Sequence, residues 1–165
     1  MSSAEAELWA ATAPLTPIGL DEVMAMAALQ TRIDRKYLID PSTFSSLVEA
    51  FTATMSVLEI DGRRVFDYES IYFDTDDLVS YRRAAMSRDR RSFKVRTRTY
   101  LDSGECMVEV KCKSRRGETV KERRPHRPEH RAALDPAALA FVDGLVQIPD
   151  GSARLGPVLS TRYRR

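Results

Sequence analysis

Apolar and polar positions alternate strictly over several stretches of the chain, the period of a strand with one buried face. In residues 92–100, Phe93, Val95, Thr97 and Thr99 take one side, and Lys94, Arg96 and Arg98 take the other. In 105–113, Cys106, Val108, Val110 and Cys112 oppose Glu109, Lys111 and Lys113. Residues 118–124 set Val120 against Lys121 and Arg123. Residues 158–165 set Leu159, Thr161 and Tyr163 against Ser160, Arg162 and Arg164. An earlier stretch, 31–40, alternates too, with Arg32, Asp34 and Lys36 opposite Ile33 and Tyr37. Asp102-Ser103-Gly104 and Ser114-Arg115-Arg116-Gly117 supply hairpin loops between three consecutive strands.

Helical spacing is found elsewhere. Residues 20–30 place apolar side chains on one face, with Gly19 before them and Asp21 and Glu22 in the first turn. Asp40-Pro41 opens a second helix to about Phe51, Asp40 as N-cap and Pro41 at the first helical position. Residues 55–60 and 63–74 read as a hairpin turning at Asp61-Gly62. A short helix is expected over 76–86, and another from Asp135-Pro136 to about Val146. Residues 1–16 read as a loose leader and 17–165 as one domain. The expected class is α+β: a mainly antiparallel β tunnel or barrel, here partial and open, with short flanking helices.

The 165 residues suffice for one domain with a core. No apolar run is long enough for a membrane-spanning helix, and the N-terminus lacks the pattern of a secretory signal. The cytoplasm is the expected location. Cys106 and Cys112 sit in one strand about 20 Å apart, beyond disulfide reach, and read as small apolar side chains. His126 and His130 lack a partner Cys-x-x-Cys, so a zinc site is not expected.

Charge sharpens the picture. The chain carries +2, but residues 82–124 hold fifteen Lys and Arg against six Asp and Glu, leaving +9 there and −7 elsewhere. Five alternating segments back a mainly cationic face with an apolar one. Stacking like charges across strands costs stability, and a bound polyanion would offset that cost.

Five motifs, RIDRKYLID, ESIYFDTDDLVSY, SFKVRTRTY, MVEVKCKSRRGETVKERRP and LGPVLSTRYRR, occur in this order between residues 32 and 165, within a resemblance that runs from about residue 15 to the C-terminus. Together they resemble the vacuolar transporter chaperone (VTC) domain, the polyphosphate polymerase branch of the CYTH-like triphosphate tunnel metalloenzymes. The resemblance implies an antiparallel tunnel lined by basic residues that binds ATP, polyphosphate or another triphosphate with a divalent metal, Mn²⁺ or Mg²⁺. It implies transfer of the ATP γ-phosphoryl to polyphosphate. Matched by motif, Lys36, Arg96, Arg98 and Lys111 are the expected catalytic cations. Arg32, Lys94, Lys113, Lys121, Arg123, Arg162 and Arg164 are expected phosphate contacts. Glu109 could touch the metal, although pairing with Lys111, Lys121 or Arg96 is the somewhat better reading.

The residue types agree with phosphoryl transfer, in which positioning and electrostatic stabilisation do most of the work. Neither a P-loop nor a Ser–His–Asp set is present. The family pattern continues beyond the point reached at Arg165, so a shortened tunnel, or one completed by another copy through open strand edges, is expected. A non-catalytic module for polyphosphate or inositol phosphates is the alternative. A nucleic-acid-binding domain is less favoured, because few aromatics are expected on the cationic faces.

Overall fold

A computed structural model of the chain describes residues 3–27, 37–85, 92–113 and 119–165. The chain divides into two compact units, residues 1–65 and 66–165.

The first unit contains helices α1 (Ser3–Thr12), α2 (Leu20–Ala27) and α3 (Pro41–Phe51), and strands β1 (Thr16–Ile18) and β2 (Ser56–Leu58). Residues 3–12, expected as loose, are helical; Ala, Glu and Leu are strong helix formers and dominate that stretch. Helix α3 begins as expected: the Asp40 carboxylate accepts the Thr43 amide at 2.8 Å, and Pro41 follows the cap. Hydrogen bonds from the Ser42 hydroxyl and from Thr43 hold the Asp40 carboxyl well below its usual range.

The hairpin expected over 55–74 is corrected. Asp61 and Gly62 do turn the chain, at φ 49° and 70°, but close only one bridge, Ile60 to Arg63. β2 pairs in parallel with β1 instead. Arg64 is fixed within this unit by Glu59 at 2.8 Å, by the Thr12 carbonyl at 2.6 Å and by the Trp9 ring. Of the strand expected over 31–40, residues 37–40 form no strand, and 31–36 lie outside the described residues.

The second unit is built on β3 (Asp67–Asp74), β4 (Phe93–Tyr100), β5 (Cys106–Lys113), β6 (Thr119–His126) and β7 (Gly156–Arg164). They form one antiparallel sheet in the order β6-β5-β4-β3-β7. Among the described residues this sheet is open, with β6 and β7 at its edges. Helices α4 (Val79–Ala85) and α5 (Pro136–Asp143) flank it.

One sheet face is the core side. Phe73, Phe93, Val95, Val108 and Val110 are buried with Ala138 and Val142 of α5, and with Val79, Val146 and Ile148. Each buried Val, Ile or Phe among them contributes about 1.5–3 kcal/mol by leaving water. Thr97 shares this face without an orphaned hydroxyl, because it donates to the Arg131 carbonyl at 2.6 Å. Cys106 and Cys112 are free thiols on the same side, and burial raises both of their pKa values. Helix α5 stops at Asp143, short of the expected Val146; Gly144 follows, and the Asp143 carboxylate turns back to accept the Ser152 amide and hydroxyl.

A basic sheet face as the candidate functional site

Because side chains alternate along strands, packing Phe93, Val95, Val108 and Val110 inward turns their neighbours to the opposite face. Directly paired residues share a face, so the register arranges them in rows across the sheet. One row is Lys121–Lys111–Lys94. The next is Arg123–Glu109–Arg96–Tyr72–Leu159. A third is Met107–Arg98–Ser70–Thr161. Among the described residues, neither Lys94 nor Lys111 has an acidic partner.

Glu109 lies at the centre and is 2% exposed. Its Oε2 accepts Arg96 Nε at 2.8 Å and a second Arg96 nitrogen at 2.5 Å. Lys121 Nζ lies 2.9 Å from Oε1, a charge contact whose angle leaves that oxygen without an aligned hydrogen bond. An Arg98 nitrogen stands 4.0 Å away. Burial pushes the Glu109 pKa up, but Lys121, Arg96 and Arg98 outweigh it and hold the carboxyl below its ordinary value. Burial likewise disfavours the charged Arg96, and Glu109 and Tyr72 more than restore it. Arg96 also donates to the Tyr72 hydroxyl at 3.0 Å. One carboxylate therefore sits among three close cations.

The structure brings Lys94, Arg96, Arg98, Lys111, Lys113, Lys121 and Arg123 to this face, as their alternation predicts. Arg32 and Lys36 lie outside the described residues. The face assigned to Arg162 and Arg164 is corrected. β7 pairs Arg162 with Glu69 and Arg164 with Asp67, and those partners point to the core side; Arg164 lies 3.2 Å from the Asp67 carboxylate. The residues of β7 that reach the basic face are Leu159, Thr161 and Tyr163, opposite Tyr72, Ser70 and Tyr68. Arg165 exchanges backbone hydrogen bonds with Phe66 at 2.8 and 2.9 Å, which puts it in step with Tyr163. Its charge acts on Tyr68, where burial nonetheless keeps the phenol pKa raised. Arg165 was missed because the sequence TRYRR offers arginines of both parities, and only the register with β3 selects among them.

Aromatic side chains also share the face, contrary to expectation. Tyr68 stacks on Tyr163 with centroids 5.4 Å apart and 10° between planes, and meets Tyr100 edge-on at 5.2 Å. The Arg98 guanidinium lies over the Tyr68 ring and that of Arg96 over Tyr72. Alternation already sets Tyr100 beside Arg98, whereas Tyr68 and Tyr72 come from β3, whose face only its pairing with β4 reveals.

A protein-held divalent ion does not fit this donor set. Among the described residues no three His, Cys, Asp or Glu side chains converge, and the single carboxylate, Glu109, is already engaged by Arg96 and Lys121.

Comparison with known proteins agrees with this architecture. The VTC domain family model matches residues 31–165. No curated protein matches. A solved structure from Hippeastrum, described as an adenylyl cyclase candidate with a dominant triphosphatase activity, superposes with a TM-score of 0.51 at 16% identity. The match covers 78% of this chain and 61% of that one, so the chain spans less than two thirds of its length. A structure from Bacillus halodurans, described as an adenylate cyclase candidate, is 16% identical with a TM-score of 0.44, over 78% of this chain and 61% of that one.

Proposed function

Because the chain belongs to the VTC domain family, we propose that its basic sheet face binds a triphosphate or polyphosphate. The observation that carries this is the Lys121–Lys111–Lys94 row beside Arg96 and Arg98, with one buried carboxylate among them. Like charges directly opposite one another across strands repel, and a chain of phosphates laid along them removes that cost. Arg98 offers a planar fork for bidentate contact, and the lysines offer mobile point charges. Arg96, fixed by Glu109 and Tyr72, is held in place in advance for such a ligand.

The finer reading is polyphosphate polymerase-like transfer of the ATP γ-phosphoryl to polyphosphate, by a cytoplasmic domain spanning residues 17–165. That reading also takes Lys36 as a catalytic cation and Arg32 as a phosphate contact, and Mn²⁺ or Mg²⁺ is supplied with the nucleotide. A second reading is favoured by the lone, engaged carboxylate: a non-catalytic module for polyphosphate or inositol phosphates.

Calorimetric titration with tripolyphosphate tests the binding. Lys94→Ala, Arg98→Ala and Lys111→Ala combined should weaken it about 1,000-fold or more, each charged contact contributing on the order of 1.5–3 kcal/mol. Unchanged affinity in a folded triple variant would defeat the assignment of this face. Incubation with ATP and Mn²⁺ separates the two readings: polyphosphate formation supports the polymerase, and tight tripolyphosphate binding without product supports the module. Single-stranded DNA displacing tripolyphosphate would overturn both.

A further inference from the structure

Among the described residues β7 has a neighbouring strand on one side only, and its register shows which backbone groups that leaves over. Arg165 exchanges both of its backbone hydrogen bonds with Phe66, at 2.9 and 2.8 Å. In an antiparallel pair, residues that bond toward a neighbour alternate with residues that bond away from it. Tyr163 and Thr161, across from Tyr68 and Ser70, therefore bond toward β3. Ser160 and Arg162 aim their amides and carbonyls at the open edge, where a further strand would pair.

The side chains along that edge differ from one end to the other. Val158 and Leu159 are exposed, and they line a cavity of about 520 Å³ whose walls also include Tyr72, Phe73, Tyr81 and Ala85. Asp74 and Ser80 border it with their polar atoms already used. The Asp74 carboxylate accepts the amides of Thr75, Ser80 and Tyr81, and the Ser80 hydroxyl donates to the Phe93 carbonyl. That end of the edge is thus mainly apolar. The other end carries Arg162 and Arg165, both exposed. Arg162 stands across from Glu69, whose carboxylate is held instead by Arg131 at 2.8 Å.

We propose that this edge takes an extended segment of a partner protein as a further antiparallel strand, acidic in its first half and apolar in its last. Antiparallel pairing is the slightly more stable arrangement, and it runs the segment from Arg165 toward Leu159. An acid across from Arg165 is followed three places later by an acid across from Arg162. Three places later again, a bulky apolar residue lies across from Leu159 and enters the cavity. Backbone bonds at Ser160 and Arg162 supply affinity, and the two charges and the apolar anchor supply selectivity. A second copy of β7 is the poorer occupant, since residues 156–165 contain no Asp or Glu to meet these arginines. Nothing in this pairing requires the basic face to hold phosphate.

The probe is a fluorescein-labelled peptide, Ser-Glu-Thr-Thr-Glu-Thr-Thr-Phe-Thr, whose anisotropy is followed as the full chain is added. Ser160→Pro removes an edge amide and leaves the bonds to β3 in place. Arg162→Glu reverses the central charge. Each should weaken the peptide about tenfold or more, with thermal unfolding verifying that both variants are folded. A peptide with Lys as its second charged residue should bind the unmodified chain about tenfold more weakly and regain that loss on Arg162→Glu. A misfolded variant cannot produce that exchange. Affinity unchanged by Ser160→Pro, or no recovery in the charge exchange, would overturn the edge site. So would an unmodified chain that leaves the peptide unbound at about 1 mM. Self-association that saturating peptide leaves intact would assign the edge to a second copy and overturn the partner segment.

Discussion

Glu109 is a buried acid whose state is set by its neighbours. Its folded pKa lies below the ordinary value of 4.5, because Lys121, Arg96 and Arg98 together overcome burial. A carboxyl with a depressed folded pKa contributes stability above its unfolded pKa and loses that contribution as pH falls through the folded value. Urea unfolding should therefore show stability held above about pH 4.5 and declining below it. Glu109→Gln should cost about 3 kcal/mol at neutral pH, since it leaves Arg96 half-buried without its counter-charge, and should flatten that acid decline. Arg96→Ala would take from buried Glu109 both hydrogen bonds to Oε2 and leave it only Lys121 and the more distant Arg98, so it is a poor probe of ligand binding. Alternation puts Lys111, Lys121 and Arg96 on the face of Glu109 as candidate partners; the register selects Arg96 and Lys121 and leaves Lys111 aside. The choice between Arg162, Arg164 and Arg165 is not legible in the sequence, because it depends on the register in which β7 pairs with β3.

At the scale of elements, caps and turns are decided by neighbouring residues, whereas strand partners are decided at a distance. Asp40-Pro41 and Asp135-Pro136 cap α3 and α5 as their sequences indicate, because a cap is decided within four residues. The partner of β2 is not decided locally. Asp61-Gly62 looks like a hairpin turn and bends like one, yet β2 pairs with β1, about forty residues earlier. Helix α5 brings Ala138 and Val142 to the core, so its cap is a fair place to test the packing. Asp135→Ala removes the bond from the Ala138 amide at 2.7 Å and should lower stability by about 1 kcal/mol, read as a reduced Tm. The Asp135 pKa is lowered first by that amide, so part of its contribution also disappears in acid.

For the whole molecule, the mainly antiparallel class and the consecutive β4-β5-β6 meander follow from alternation and turn residues. The position of β7 beside β3 does not, since nothing local to residues 156–164 names a partner so far back in the chain. Among the described residues β7 is thereby an edge of the sheet, and Val158 and Leu159 on it are exposed. Such an edge invites pairing with a second chain. Light scattering across a concentration series should show association, and Val158→Lys should suppress it; equal masses for both proteins at every concentration would argue against an edge-driven contact.

The stacked pair of Tyr68 and Tyr163 has an optical consequence. Two phenol rings 5.4 Å apart and nearly parallel couple their electronic transitions, so docking of β7 on β3 carries its own near-ultraviolet circular dichroism band. The Arg98 guanidinium lies 5.8 Å from the Tyr68 ring centre, where an arriving anion that draws it away would alter the field on that chromophore. The sheet thus contains a label-free gauge: loss of the band reports a detached strand, and a shift in it reports an occupied face.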